Sequence, residues 1–174
     1  ERAGTIRIVG SSAPFLDLSD RVTTDGLGGL LSIAFRPGTS QFYAYYSRPT
    51  GEELDEFRVT SGGTEACAVS RRRVLFTTNP NPPYGHAGGE IRFGPGKRHL
   101  LWLSIGDGGS GAPGDKAPHL AKSRNSLRGK LIRIDPRPAN GRPYTVPKGN
   151  PYKGATPGLG AIYSRGFRNP WRFS

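Results

Sequence analysis

The sequence predicts an all-β fold, and three observations carry that expectation. Short apolar or alternating runs recur between turns rich in Gly, Pro, Asn and Asp, which is how strands read. No stretch of about twelve or more residues keeps apolar positions at i, i+3, i+4 and i+7, so helical periodicity is scarce. The 26 glycines and 16 prolines make up about a quarter of the 174 residues, roughly twice the usual share. A chain so rich in turn formers is built from short elements.

The strands follow in order. Thr5–Val9 holds Ile6, Ile8 and Val9 between two glycines. Leu30–Phe35 is almost continuously apolar and stops before Pro37-Gly38. In Gln41–Ser47, Phe42, Ala44 and Tyr46 face one way and Tyr43 and Tyr45 the other. Glu53–Val59 runs up to the Ser61-Gly62-Gly63 turn. Arg73–Thr77 carries Val74-Leu75-Phe76 behind Arg71-Arg72-Arg73, a basic run expected to be a solvated turn. Gly89–Phe93, Leu100–Ile105, Lys130–Ile134 and Ala161–Ser164 complete the set.

Two of these hairpins are copies. Leu31–Gly38 and Gly89–Gly96 share Ile, Phe, Pro and Gly at one offset, and each leads into an apolar strand. A weaker third copy is expected at Arg168–Phe173. Repeated units of several short strands are the signature of a β-propeller. About 58 residues per unit, the repeat offset, lets residues 1–174 hold about three blades of a single partial domain. Propellers close with four to eight, so the chain is expected to be a fragment of a longer protein. Alone it would leave apolar faces uncovered and fold poorly.

Charge and composition remove several function classes. Lys and Arg outnumber Asp and Glu by 25 to 13, a net +12. The cations are scattered, with no zinc-finger, RNP or basic-helix pattern, so no nucleic-acid partner is expected. No apolar run is long enough to span a membrane. Cys67 is the only cysteine, which excludes an intrachain disulfide and a cysteine-rich zinc site. Walker, EF-hand and Gly-x-Ser-x-Gly patterns are absent.

Of the three histidines, His99 is expected in a turn and His119 in a loop. His86 stands apart. It lies in Pro82-Pro83-Tyr84-Gly85-His86-Ala87-Gly88-Gly89, and Asp107 follows the next hairpin within Gly106-Asp107-Gly108-Gly109. If the strands between them pair antiparallel, both fall at one end of the hairpin. An Asp beside a His fixes its tautomer, which suits a general base. The bland alternative is that Asp107 caps a turn and His86 fills a loop. Arg168-Asn169-Pro170-Trp171 is a second dense cluster. Arg168 offers a planar fork for a carboxylate, and Asn169 both donates and accepts; the alternative is a turn in which the arginine packs on Trp171.

Taken together and in order, these segments resemble the soluble pyrroloquinoline-quinone (PQQ)-dependent aldose dehydrogenases, also called glucose/sorbosone dehydrogenases. The resemblance rests on Ala3–Arg7, Pro14–Asp17, Gly28–Pro37, His86–Gly89 through Pro95, Gly106–Gly109, Leu127–Asp135, Val146–Pro151 and Arg168–Trp171. It implies a six-bladed propeller with the quinone over its axis, an aldose substrate and an external electron acceptor. His86 maps to the catalytic base, Asp107 to its supporting acid, and Arg168 and Asn169 to quinone and sugar contacts. Calcium is implied too, with ligands outside these residues; the chain itself offers no metal site. The family's periplasmic or extracellular setting comes with the resemblance. Hedgehog-interacting proteins are similar to this family as non-catalytic binding propellers. Three positions depart from the family: Leu27 where a Gln is common, Gly85 where some members have Asp, and Ala87 where close relatives have Asn.

Overall fold

The structure is a computed structural model that describes residues 1–78, 85–96, 98–154 and 159–174. The Pro82-Pro83-Tyr84 part of the His86 loop lies outside the described residues. Strands β1 (Thr5–Arg7) and β2 (Pro14–Asp17) form a small antiparallel pair. A four-stranded antiparallel sheet follows, made of β3 (Leu30–Phe35), β4 (Gln41–Arg48), β5 (Gly51–Val59) and β6 (Ala66–Thr78) in chain order. The second such sheet holds β7 (Gly88–Phe93), β8 (Leu101–Ile105), β9 (Lys130–Ile134) and β10 (Ile162–Arg165). These are two neighbouring blades of a β-propeller, and their first strands lie side by side: the Ile91 N–H donates to Ser32 Oγ at 3.2 Å.

The expected three units therefore resolve into two four-stranded blades and the β1–β2 pair. The repeat is structural, because each copy is the first hairpin of a blade. Its turns need a left-handed glycine at the same place, Gly38 at φ 70° and Gly96 at φ 94°. The expected third copy is not a strand. Residues 168–173 instead run back over the start of β7, where the Phe173 N–H donates to Glu90 Oε2 at 2.7 Å.

Alternation in β4 builds the core as its sequence pattern predicts. Tyr43 and Tyr45 join Leu54, Leu75, Ile91, Leu103, Ile105 and Ile132 between the two blades. Phe42, Ala44 and Tyr46 turn the other way, onto Phe15, Leu16 and Leu18 beside β2. Side chains of β4 are thus buried on both faces, as stacked blades require, at about 1.5–3 kcal/mol for each large apolar side chain.

Beside this core, β5 buries four carboxylates, Glu52, Glu53, Asp55 and Glu56. Arginines neutralise them. Arg71 bonds Asp55 at 2.8 Å and Glu53 at 3.0 Å, and Arg72 bonds Glu56 at 2.6 Å. The Arg71–Arg73 run is therefore part of strand β6 and not a solvated turn: cross-strand acids draw it into the sheet. Two arginines also join the blades. Arg72 donates to the carbonyls of Pro136 and Pro143, both at 2.8 Å. From the second blade, Arg128 reaches Glu52 at 2.5 Å and the carbonyls of Thr78 and Thr77 at 2.7 and 3.2 Å.

Candidate active site

His86 precedes β7 and Asp107 follows β8. Gly88 pairs with Ile105 across this hairpin, so both residues emerge at one end, as the spacing predicts. Two backbone hydrogen bonds then zip the loops together. The His86 N–H donates to the Gly109 carbonyl at 3.1 Å, and the Gly108 N–H to the His86 carbonyl at 3.0 Å. Glycine makes this approach possible. A Cβ at residue 85 would stand 1.6 Å from the Gly109 carbonyl oxygen, and one at residue 106 would stand 2.0 Å from that of His86. Gly85 is thus demanded by backbone packing, whatever polar group other sequences carry there.

Asp107 Oδ1 lies 2.7 Å from His86 Nδ1 and accepts the Gly109 N–H at 2.8 Å. His86 is 9% exposed and Asp107 3%, so water competes weakly for this bond. A carboxylate only accepts, so Nδ1 carries the hydrogen of this bond, and in the neutral ring that tautomer leaves Nε2 as the acceptor. Among the described residues no hydrogen bond engages Nε2.

The segment after β10 closes the site. The Arg168 carbonyl accepts the Asp107 N–H at 2.9 Å. Its guanidinium is exposed and, among the described residues, has no ion pair or hydrogen bond. Asn169 Oδ1 accepts the Gly88 N–H at 2.9 Å, which leaves its amide NH₂ as the available donor. A cleft of about 360 Å³ runs between these loops, walled by His86, Asp107, Pro118, Ala121, Lys122 and Arg168. A larger hollow of about 630 Å³ lies along residues 139–146 and touches none of the four expected site residues.

His99 sits in a turn at φ 47°, as expected. His119 does not sit in a loop but in the short helix α1 (Ala117–Lys122). Six residues are too few to show a helical period in sequence. Asp115 was also hidden: its Oδ2 accepts the N–H groups of Ser110 and Gly111, and its Oδ1 that of Ala117. An Asp three residues before Pro118 is a helix-start signal, visible only in retrospect on so short a helix. Leu27 is 51% exposed. Ala87 is buried, and its carbonyl stands 3.3 Å from the Tyr45 hydroxyl.

Fold and site together define a β-propeller that presents a carboxylate-oriented histidine and, in the same cleft, an arginine with no ion pair among the described residues. The chain belongs to the Glucose / Sorbosone dehydrogenase family, whose family model matches residues 1–173. It is 26% identical to the HIPL1 protein of Arabidopsis thaliana over 226 aligned positions, covering 99% of this chain and 31% of that protein. To the HIPL2 protein of the same plant it is again 26% identical, covering 95% of this chain and 30% of that one. Among solved structures it is similar to a glucose dehydrogenase, with a TM-score of 0.74 and 22% identity over 97% of this chain and 51% of that one. It is also similar to the PQQ-bound form of an aldose sugar dehydrogenase from Streptomyces coelicolor, with a TM-score of 0.65 and 26% identity, covering 95% and 44%. The chain thus spans about a third of the curated relatives and about half of the solved chains.

Proposed function

We propose that this chain supplies the base and the first cofactor contacts of a quinoprotein that oxidises the anomeric carbon of an aldose to a lactone. The observation that carries the reading is His86, which walls a cleft with Nδ1 tied to Asp107 and, among the described residues, no hydrogen bond to Nε2, in the company of an Arg168 guanidinium that has no ion pair among those residues. These residues fit pyrroloquinoline quinone. It is a tricarboxylate, and an arginine fork free of other anions is its natural partner. When bound, the quinone supplies the oxidant that takes hydride from the anomeric carbon. His86 Nε2 accepts the proton of the anomeric hydroxyl, so the sugar loses one proton and one hydride in all. Asp107 holds the ring in the productive tautomer and stabilises the imidazolium. Arg168 holds a carboxylate, and the Asn169 amide donates to a quinone or sugar oxygen.

The same reading calls for an external electron acceptor, which would take up the electrons the sugar loses. Calcium belongs to the same reading, although among the described residues no three His, Cys, Asp or Glu side chains cluster to hold a metal. A periplasmic or extracellular setting goes with it as well. No described helix is long and apolar enough to cross a membrane.

The test uses the whole protein, loaded with quinone and calcium, and follows aldose-dependent reduction of an artificial dye. His86→Ala should lose about 10²–10⁴-fold in rate, the usual worth of a general base, and still bind quinone. Retained activity in that variant overturns the assignment. A second reading, a binding propeller without catalysis, is favoured by the apolar Leu27 and Ala87 where the family commonly carries amides. The match to the two HIPL proteins supports keeping it. A wild-type protein that neither binds quinone nor reduces dye would establish that second reading.

A further inference from the structure

Lys130 opens β9 on the same face as Ile132 and Ile134 and is as fully buried as they are. A charge in that place must be satisfied, yet among the described residues it has no carboxylate partner. Its Nζ donates instead to the carbonyls of Leu120 at 2.9 Å, Ala121 at 2.7 Å and Arg128. Three donors meet three acceptors. Burial pulls its pKa down to about 8, with Arg165 adding to the pull, so at neutral pH the group remains largely an ammonium.

Leu120 and Ala121 lie in the last turn of α1, where the helix dipole is negative and the Ser123 N–H caps only the His119 and Leu120 carbonyls, at 3.0 and 3.2 Å. A helix of six residues does not hold itself. This one packs Ala117 and Ala121 so closely that a Cβ at Gly109 or Gly129 would stand 2.9 or 2.4 Å from them. Its Pro118, Ala121 and Lys122 wall the same cleft as His86 and Arg168. The Ala121 carbonyl also accepts the Gly166 N–H at 2.9 Å, two residues before Arg168. The third acceptor, Arg128, is anchored by its side chain to the first blade.

We propose that Lys130 is a positioning residue: its buried ammonium pins the last turn of α1 to the blade and so sets the wall of the ligand cleft and the approach of Arg168. The role in ligand binding rests on the quinone reading above. The pin itself does not.

The experiment compares Lys130→Met and the milder Lys130→Gln, which keeps two N–H donors, in the whole protein. It measures amide hydrogen exchange by segment and quinone affinity by tryptophan fluorescence. In Lys130→Met, amides 120–123 and 166 should exchange at least ten-fold faster while those of β4 and β8 stay within two-fold. The quinone Kd should rise about ten-fold, and Lys130→Gln should fall between. Ile134→Val, a core change of ordinary cost, should shift melting without moving either readout. Unchanged α1 exchange in both lysine variants overturns the pin, and loosened α1 with an unchanged Kd overturns its part in the cleft. Should the wild type bind no quinone, that failure falls on the functional reading, and exchange still decides the pin.

Discussion

Replacing Asp107 separates what its charge does from what its shape does. Oδ1 accepts two hydrogen bonds, from His86 Nδ1 at 2.7 Å and from the Gly109 N–H at 2.8 Å. Asn at this position keeps a carbonyl oxygen for both, so the loop should hold. What it loses is charge assistance. Hydrogen bonds to charged groups contribute about 1.5–3 kcal/mol and neutral ones about 0.5–1.5, so the histidine loses roughly 1–1.5 kcal/mol of support. Every 1.36 kcal/mol is ten-fold in rate, and Asp107→Asn should therefore lower kcat/KM by about ten-fold. Asp107→Ala removes both bonds and frees the ring to rotate. It should approach the full loss expected for His86→Ala, about 10²–10⁴-fold. The assay is aldose-dependent dye reduction by the quinone-loaded protein, with quinone affinity measured alongside. Asp107→Ala within two-fold of wild type at unchanged affinity would refute the dyad.

Three further outcomes are expected. Gly85→Ala places a Cβ 1.6 Å from the Gly109 carbonyl oxygen; the two-bond zip must open, at about 1 kcal/mol per bond plus about 1–3 for overpacking. A melting temperature within a degree or two of wild type would count against that clash. Arg168→Met should raise the quinone Kd by about 10–100-fold, because an unpaired guanidinium is worth about 1.5–3 kcal/mol to a carboxylate. Its stability should stay constant, since the group bonds nothing in the described fold, and unaltered affinity would remove it from the site. Burial pushes the Glu52 carboxyl up to about 7 against the opposing pull of Arg128. The folded state then holds a proton that the unfolded chain releases near its ordinary 4.5. That stability is complete below about pH 4.5 and is lost as pH rises through 7, about 3 kcal/mol in all. Chemical denaturation should show this fall in the wild type and a flatter profile in Glu52→Gln; parallel profiles would contradict it.

Much of the fold was legible because burial on both faces writes plainly into sequence. β3 and β9 begin and end where their apolar runs do, and β4 sends its side chains to the two sides its alternation prescribes. The outer strands were harder. β6 starts at Ala66, seven residues before the expected start at Arg73, and β5 includes Gly51 and Glu52. There the ladder is held by acids paired with arginines across strands, and a polar strand looks like a loop when its partner is unknown. Helix α1 was invisible for a related reason: it is held from outside, by Lys130. In the site, His86 and Asp107 could be joined in advance because a hairpin has only one such end. Asn169 could not be read so far. Both halves of its amide were open possibilities, and only the Gly88 N–H decides which is spent on structure.

Glu52 has consequences for how the chain assembles. It belongs to the first blade, yet among the described residues its only cationic partner is Arg128, contributed by the second. A first blade folded alone would lack the guanidinium that opposes the upward push of burial on Glu52, so the group could be charged there only at a desolvation cost. It would also leave Tyr43 and Tyr45 without the apolar side chains that cover them from the second blade. The smallest cooperative folding unit is therefore the pair of blades. As the chain emerges during synthesis, the first blade waits for the second, and the two should gain exchange protection in one step.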